Sequence, residues 1–125
     1  MGIHAINHVQ LAFPAGEEAE VRRFYGALVG LTELRHAAAN DTLRFVAGSQ
    51  RIDLIPTENW RPPPATSHLA FEVRNLPQLR NRLIDAQLLV EEHRPLPGYL
   101  RFRVKDPAGN QLEFLEPDPS QVQTV

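Results

Sequence analysis

The chain has 125 residues, of which 42% are hydrophobic and 22% charged, a mixture typical of one folded globular domain. Its formal net charge is −2, so the composition predicts no nucleic-acid partner, because such partners select strongly basic surfaces. The absence of cysteine excludes a thiol nucleophile, cysteine-ligated zinc and iron–sulfur clusters.

Targeting signals are not evident in the sequence. The first residues, MGIHAINHVQLAF, have neither the basic start nor the apolar core of a secretory signal. The sequence also contains no apolar run of about 18 residues, the length that a membrane-spanning helix needs. We therefore expect a cytoplasmic location and no membrane partner.

The first half of the chain is predicted to contain one strand, one helix and three further strands. Residues 4–13 alternate between apolar and polar side chains, which is typical of a strand with one buried face. Residues 17–28 begin with acidic side chains and continue with apolar residues at helical spacing, which predicts a helix. Short segments at about 33–37, 42–46 and 51–56 predict the three remaining strands.

The second half of the chain repeats this order after a linker. Residues 57–65 contain Pro62-Pro63-Pro64, which predicts a stiff, extended connection. Asn75 is predicted to cap the second helix at its amino end, and residues 118–125 to form a loose tail. The other predicted elements are a strand at 67–73, a helix at 76–87, and strands near 89–93, 99–105 and 111–116.

Two histidines and two acidic residues recur with one spacing. Sixty positions separate His8 from His68, and the same number separates Asp53 from Glu113. The sequences around them also agree, with HVQLAF matching HLAFEV and IDLI matching LEFL. The sequence therefore predicts an α+β fold of two tandem βαβββ modules, about residues 4–56 and 66–117, in one domain spanning residues 1–125.

The four repeated side chains lie opposite the apolar faces of their strands. If the helices cover the apolar faces, the polar faces form a cup into which all four side chains point. Two imidazoles and two carboxylates form a nitrogen and oxygen donor set suited to a divalent transition metal, and Zn, Ni, Mn, Co and Fe all remain open. The alternative is that these are ordinary exposed or hydrogen-bonding residues.

Several arginines are predicted to share the polar face with these groups. Arg101 and Arg103 alternate with apolar residues in their strand, as Arg44 does in an earlier strand. Guanidinium groups bind carboxylate or phosphonate through two parallel hydrogen bonds, so we expect these three arginines to bind a small anionic substrate. The alternative is a solvated rim whose arginines pair with Glu72 and Glu91.

Four segments of the sequence resemble the vicinal oxygen chelate superfamily, which contains glyoxalase I, extradiol dioxygenases, fosfomycin-resistance enzymes and bleomycin-binding proteins. The resemblance covers about residues 4–117 and implies a curved, barrel-like mixed β-sheet with the helices outside. The most specific segment is the last, with its DP-x-G-N turn and a Glu three residues after the Asn. The segments are INHVQLAFP, RRFYGALVGL, SHLAFEV and FRVKDPAGNQLEFLEP.

By position, the resemblance implies that His8, His68 and Glu113 are metal ligands and that Asp53 is a possible fourth ligand. Asp53 stands where glyoxalase I usually has the longer Glu. Ala12 stands where glyoxalase I typically carries an Arg for the glutathione carboxylate, so the sequence departs from that enzyme's pattern.

The resemblance implies chemistry in which a metal chelates vicinal oxygens of a small substrate, with Glu113 or Asp53 transferring the proton. The first hypothesis is a metal-dependent isomerase, lyase or thiol transferase. The alternatives are a small-molecule binding or resistance protein without turnover and an Fe(II)-dependent extradiol-type dioxygenase. The resemblance also implies a homodimer, with modules that pair either within one chain or between two.

Overall fold

The computed structural model describes residues 2–35 and 41–121 and divides the chain into two compact units. The first unit is Met1–Pro62 and the second is Pro63–Val125, so the boundary falls within the predicted proline-rich linker. Parts of two predictions lie outside the described residues. These are residues 36–37 of the strand predicted at 33–37 and residues 122–125 of the predicted tail.

The first unit has the predicted order of one strand, one helix and three strands. The elements are β1 (His8–Pro14), α1 (Glu18–Arg22), a π-helical segment (Arg23–Leu28), β2 (Thr32–Leu34), β3 (Leu43–Ala47) and β4 (Gln50–Thr57). The sheet has the strand order β1-β4-β3-β2, in which β1 is parallel to β4 and the other pairs are antiparallel.

The second unit repeats this arrangement. The elements are β5 (His68–Glu72), α2 (Leu76–Asp85), β6 (Glu91–Glu92), β7 (Tyr99–Lys105), β8 (Gln111–Pro117) and a 3₁₀ turn (Pro119–Gln121). The sheet has the order β5-β8-β7-β6, again with one parallel pair, β5 with β8, and antiparallel pairs beyond it. The predicted α+β class with two tandem βαβββ modules is therefore confirmed.

Each unit has its own apolar core on one face of its sheet. In the first unit the ring of Tyr25 lies 5.8 Å from that of Phe45, so the helical segment packs on the sheet. In the second unit Phe71 stacks on Phe114, with ring centroids 5.4 Å apart. The strand period of two places the alternate residues on the opposite face. The core residues are Phe13, Val21, Phe24, Tyr25, Leu43, Phe45, Ile52 and Leu54, and then Leu76, Leu79, Leu83, Phe102, Val104, Ala108, Leu112 and Phe114.

The helix predicted at 17–28 is only partly α-helical. Glu18–Arg22 are α-helical, and Arg23–Leu28 are π-helical. At the end of the π-helix the Val29 amide donates a hydrogen bond to the carbonyl of Phe24, five residues earlier. Apolar spacing identifies the buried stripe of a helix, but it does not distinguish these two hydrogen-bond patterns.

Among the described residues, no helix has the length and apolar content that crossing a bilayer requires.

The second helix begins as predicted, and Asn75 occupies its N-cap position, but the side chain of Asn75 does not supply the cap. The side chain of Asn75 makes no capping bond to the backbone, and its own backbone is left-handed, with φ of 60°. The carboxylate of Glu116, on β8, instead accepts hydrogen bonds from the backbone N–H groups of Asn75 and Leu76, at 2.6 and 3.0 Å. This cap comes from a residue 41 positions away, so local sequence did not identify it.

Strand ends also differ from the prediction. The first strand begins at His8 rather than at residue 4, and the strand predicted at 89–93 is reduced to Glu91–Glu92. Strands end where backbone pairing ends, and pairing depends on the neighbouring strand rather than on local alternation.

The DP-x-G-N segment forms a buried turn between β7 and β8. Oδ1 of Asp106 accepts hydrogen bonds from the backbone N–H groups of Ala108 and Asn110, and the side-chain amide of Asn110 donates to Oδ2. Gly109 has φ of +86°, a conformation that favours glycine. The most specific motif of the sequence therefore has a structural role in this unit, because both polar side chains are buried and occupied by the turn.

Candidate metal and anion site

In each unit a histidine and an acidic residue share one sheet face on adjacent parallel strands. His8 is in register with Arg51, and two residues further on Gln10 is in register with Asp53. Since partners in register and residues two apart point to the same side, His8 and Asp53 lie on one face, opposite the core. The second unit repeats this with His68 opposite Gln111 and with Ala70 opposite Glu113.

The two carboxylates are buried, whereas the two histidines are exposed. Asp53 has a relative exposure of 5% and Glu113 of 3%, while His8 and His68 are both solvent-accessible. A buried carboxylate needs charged or hydrogen-bonding partners, because burial removes its hydration. In both units an arginine is the cross-strand partner of the acid, with Arg44 opposite Asp53 and Arg103 opposite Glu113.

Glu113 is held through one of its two oxygens. Oε1 accepts hydrogen bonds from Nε of Arg103 at 3.1 Å and from Nη1 of Arg101 at 3.3 Å. The other two nitrogens of Arg101 donate to the carbonyl oxygen of Arg94, at 3.0 and 2.8 Å. In the described part of the chain, Oε2 of Glu113 takes part in none of these hydrogen bonds and is the oxygen available for a further ligand.

Asp53 is held through both of its oxygens. Arg51, two residues earlier on the same strand, donates from Nε to Oδ1 at 2.7 Å and from Nη2 to Oδ2 at 3.1 Å. This hydrogen bonding raises the pKa of Arg51 above its ordinary value, so the guanidinium stays charged. Nε of Arg44 lies 3.9 Å from Oδ1, which is an ion pair without a hydrogen bond.

The donor types fit a divalent metal, although neither unit alone completes a site. Each unit contributes one imidazole and one carboxylate, which are ligands that Zn, Mn, Ni, Co and Fe accept. Within residues 2–35 and 41–121, no group of three or more His, Asp or Glu side chains capable of holding a metal occurs. Glu113 fits a ligand role because Oε2 is available, whereas Asp53 would first have to leave Arg51.

The arginines pair with the buried carboxylates rather than with the acidic residues considered as the alternative. Among the described ion pairs, Glu72 has none, and Glu91 faces His93, with 4.0 Å between Oε2 and Nε2. The sequence signals both Arg101 and Arg103 through strand alternation. Arg51 is not among the arginines predicted to bind a substrate. Its position two residues before Asp53 on one strand is the local signal that the two side chains can pair.

A cavity of about 490 Å³ lies elsewhere in the first unit. Its lining is strongly polar and includes Arg22, Glu33 and Arg35. The Glu33 carboxylate accepts two hydrogen bonds from Arg22, and this bonding raises the pKa of Arg22. The cavity contains none of the repeated His and acidic residues, so it is separate from the candidate site.

Comparison with known proteins identifies the family. The model of the Glyoxalase/Bleomycin resistance protein/Dioxygenase superfamily matches residues 5–114, and the chain therefore belongs to this superfamily. A glyoxalase family protein from Bacillus anthracis is 33% identical with a TM-score of 0.86, and the alignment covers 94% of this chain and 98% of that one. No curated protein matches the chain.

Two further solved structures share the fold at lower identity. A lactoylglutathione lyase from Agrobacterium tumefaciens is 22% identical with a TM-score of 0.71, over 93% of this chain and 96% of that one. The antibiotic binding protein TnmS3 from Streptomyces sp. CB03234 is 18% identical with a TM-score of 0.74, over 94% and 99%. At these identities the likeness concerns the fold, and the fold is shared by a lyase and a binding protein.

Proposed function

We propose that the chain is a metal-dependent enzyme of the glyoxalase superfamily that acts on a small anionic substrate with vicinal oxygens. The reaction is of the isomerase, lyase or thiol-transferase type. In this proposal His8, His68 and Glu113 hold one divalent metal ion, and Arg44, Arg101 and Arg103 bind the anionic part of the substrate. The metal would act as a Lewis acid on the oxygens of the substrate.

The observation that carries the anion-binding part of the proposal is the excess of positive charge around each buried carboxylate. Two guanidinium groups lie within 4.0 Å of one carboxylate in each unit, so these three side chains together carry a net positive charge before any ligand binds. The relative solvent exposure of the four arginine side chains lies between 17% and 35%, so solvent and a ligand reach them. An anionic ligand would neutralise this charge in a partly desolvated setting, where such interactions are strong.

The two carboxylates have different roles in the proposal. Glu113 has an oxygen, Oε2, that is available to a metal or to a proton. Both oxygens of Asp53 are bound by Arg51, so a role for Asp53 as fourth ligand or proton carrier requires that Arg51 first moves away. We therefore propose Glu113 as the principal proton carrier and metal ligand, with Asp53 retained as a conditional one.

The proposed metal site needs ligands from both units. One imidazole and one carboxylate per unit are too few, since a superfamily-type site needs at least three protein ligands. We propose that the protein is a homodimer, with the required units supplied by one chain or by two. The molecular mass of the protein in solution, measured with and without a chelator, tests the proposed dimer. A stable monomer with full metal content would contradict a site shared between chains.

Metal content of the untagged protein, measured by elemental analysis, tests the proposed function. We expect about one Zn, Ni, Mn, Co or Fe per complete site, lost in His8→Ala, His68→Ala and Glu113→Gln. Glu113→Gln preserves the volume of the buried side chain, so a loss of metal there would reflect the lost carboxylate. His4→Ala and Glu58→Ala alter exposed residues and serve as controls that keep the metal. Absence of metal after reconstitution with all five ions would contradict the proposal.

A second candidate is a binding protein without turnover. The occupied oxygens of Asp53 and the two guanidinium groups beside Glu113 favour it, because these positive charges compete with a metal for the carboxylates. This candidate predicts that metal-free protein binds a small anion and that no substrate is consumed. Turnover that depends on the added metal would exclude it.

A further inference from the structure

The arginines of the candidate site differ in how many of their donors are already used. A guanidinium group has five N–H donors and binds an oxyanion best when two of them form a parallel pair on one edge. The hydrogen bonds of the described residues therefore separate arginines that can receive a ligand from those that hold the protein together.

Arg103 keeps its terminal edge available. Its Nε donates to Oε1 of Glu113, and its Nη1 and Nη2 take part in none of the hydrogen bonds of the described residues. This bond fixes the plane of the guanidinium group, and the side chain retains 21% of its exposure. The outer edge, formed by Nη1 and Nη2, is thus oriented by the protein and accessible to a ligand.

Arg44 occupies the equivalent position in the first unit. It is the cross-strand partner of Asp53, as Arg103 is of Glu113. Its closest approach to that carboxylate is 3.9 Å, and it retains 26% of its exposure. In the described part of the chain its guanidinium donors form no hydrogen bond.

Arg101 and Arg51 are more fully committed. All three guanidinium nitrogens of Arg101 donate within the protein, to the carbonyl of Arg94 and to Glu113. Arg51 uses one parallel pair, Nε and Nη2, on Asp53. A ligand at either of these two would have to compete with contacts that already exist.

We propose that Arg103, and Arg44 as its repeated counterpart, are the receptors for the oxyanion, and that Arg101 is a positioning residue. The ligand chemistry is a carboxylate or phosphonate group bound end-on by Nη1 and Nη2. This assignment rests on the proposed function, which supplies the anionic substrate, and it narrows the set of arginines that recognise it. It also explains why each acid has two arginines, since one holds the local structure and the other is left for the ligand.

Titration with methylphosphonate, followed by calorimetry or by ³¹P NMR, tests the assignment. The neutral dimethyl ester of methylphosphonate is the matched probe without charge. We expect Arg103→Ala and Arg44→Ala each to weaken binding of methylphosphonate at the arginine cluster of its own unit by about 10- to 100-fold, the effect of losing a charge-assisted pair of hydrogen bonds. Arg101→Ala should weaken it by less than about threefold, since only a nearby charge is lost.

Further variants keep the result interpretable. Arg103→Lys retains the charge without the planar edge, and we expect it to weaken binding almost as much as Arg103→Ala. This variant decides the case if Arg103→Ala does not fold. Arg80→Ala removes an arginine that pairs with Glu92 outside the candidate site and should leave binding unchanged.

Metal content, measured on the same samples, separates this assignment from the proposed function. If the metal binds normally but Arg103→Ala and Arg103→Lys bind methylphosphonate like the wild type, the assignment is wrong and the proposed function survives. If no metal binds but affinity still depends on Arg103 and Arg44, the assignment holds for a binding protein. Equal losses in Arg101→Ala and Arg103→Ala would overturn it, as would absence of binding by the wild type.

Discussion

The first and second units share one topology but hold their acidic residues in different ways. In both, a histidine on the first strand and an acid on the last strand share a sheet face, and an arginine of the adjacent strand faces the acid. In the first unit Arg51, on the same strand as Asp53, donates hydrogen bonds to both oxygens of Asp53. In the second, two arginines of the neighbouring strand share a single oxygen of Glu113. The backbone frame is therefore repeated, while the availability of the carboxylate is not.

One sequence position accounts for much of this difference. Arg51 in the first unit corresponds to Gln111 in the second, since each is the register partner of its unit's histidine. Gln111 donates its side-chain amide to the carbonyl of Ala65 and leaves Glu113 alone. An arginine two residues before an acid on a strand reaches it readily, and a glutamine has neither the charge nor the fork to do so.

The largest expected effect comes from removing the acid of the second unit. Glu113→Ala would leave Arg101 and Arg103 partly buried without their counter-charge, which we expect to lower the free energy of unfolding by about 3 kcal/mol. Urea denaturation measures this. Glu72→Ala, on the same face but exposed, should change stability by less than about 0.5 kcal/mol. Equal, small changes in both variants would show that the carboxylate does not hold the two arginines.

The turns before the last strands differ strongly between the units and predict the next effect. Asp106→Ala removes the acceptor of two backbone N–H groups and one side-chain amide in a buried turn, with an expected loss of about 2 kcal/mol. The corresponding turn of the first unit contains exposed Ser49, and Ser49→Ala should cost less than about 0.5 kcal/mol. Thermal unfolding of the two variants compares them directly, and similar melting temperatures would contradict the structural role of the motif.

The helices of the two units also differ in their caps. Glu116→Ala removes the carboxylate that accepts the first N–H groups of α2, and we expect a loss of about 1 kcal/mol. At the start of the first helix, Glu17 occupies the N-cap position and makes no side-chain capping hydrogen bond. Urea denaturation is again the measurement, with the exposed Glu58→Ala as the reference. If Glu116→Ala were as stable as the reference, Glu116 would not be the cap in solution.

The smallest expected effect is a change in metal affinity, from a substitution that gives the first unit the residue of the second. Arg51→Gln gives the first unit the residue of the second and releases both oxygens of Asp53. If the proposed metal site includes this carboxylate, metal affinity should increase by about two- to fivefold, because a competing positive charge is removed. Competition with a coloured chelator measures this, and Gln111→Arg should act in the opposite direction. Unchanged affinity in Arg51→Gln would indicate that Asp53 takes no part in metal binding.

Much of the fold was predictable because strand alternation and repetition are local properties of the chain. The period of two assigned His8, Asp53, His68 and Glu113 to the faces opposite the apolar residues, and the repeated spacing predicted two βαβββ modules. The π-helical end of the first helix was not predictable, because the same apolar stripe fits either hydrogen-bond pattern. Glu116 as the cap of α2 was missed because its partner is distant in sequence.

The sequence by itself therefore determined the repeated modules, the family and the candidate residues, since these depend on residue type and spacing along one chain. Only the tertiary structure decided which oxygen of each acid is occupied and which arginine occupies it. Those contacts depend on side-chain conformation and on the register within the β3–β4 and β7–β8 hairpins, and a register is set by pairing in space. For this reason Arg44 and Arg103 are distinguished from Arg51 and Arg101 by their hydrogen bonds and not by their positions in the sequence.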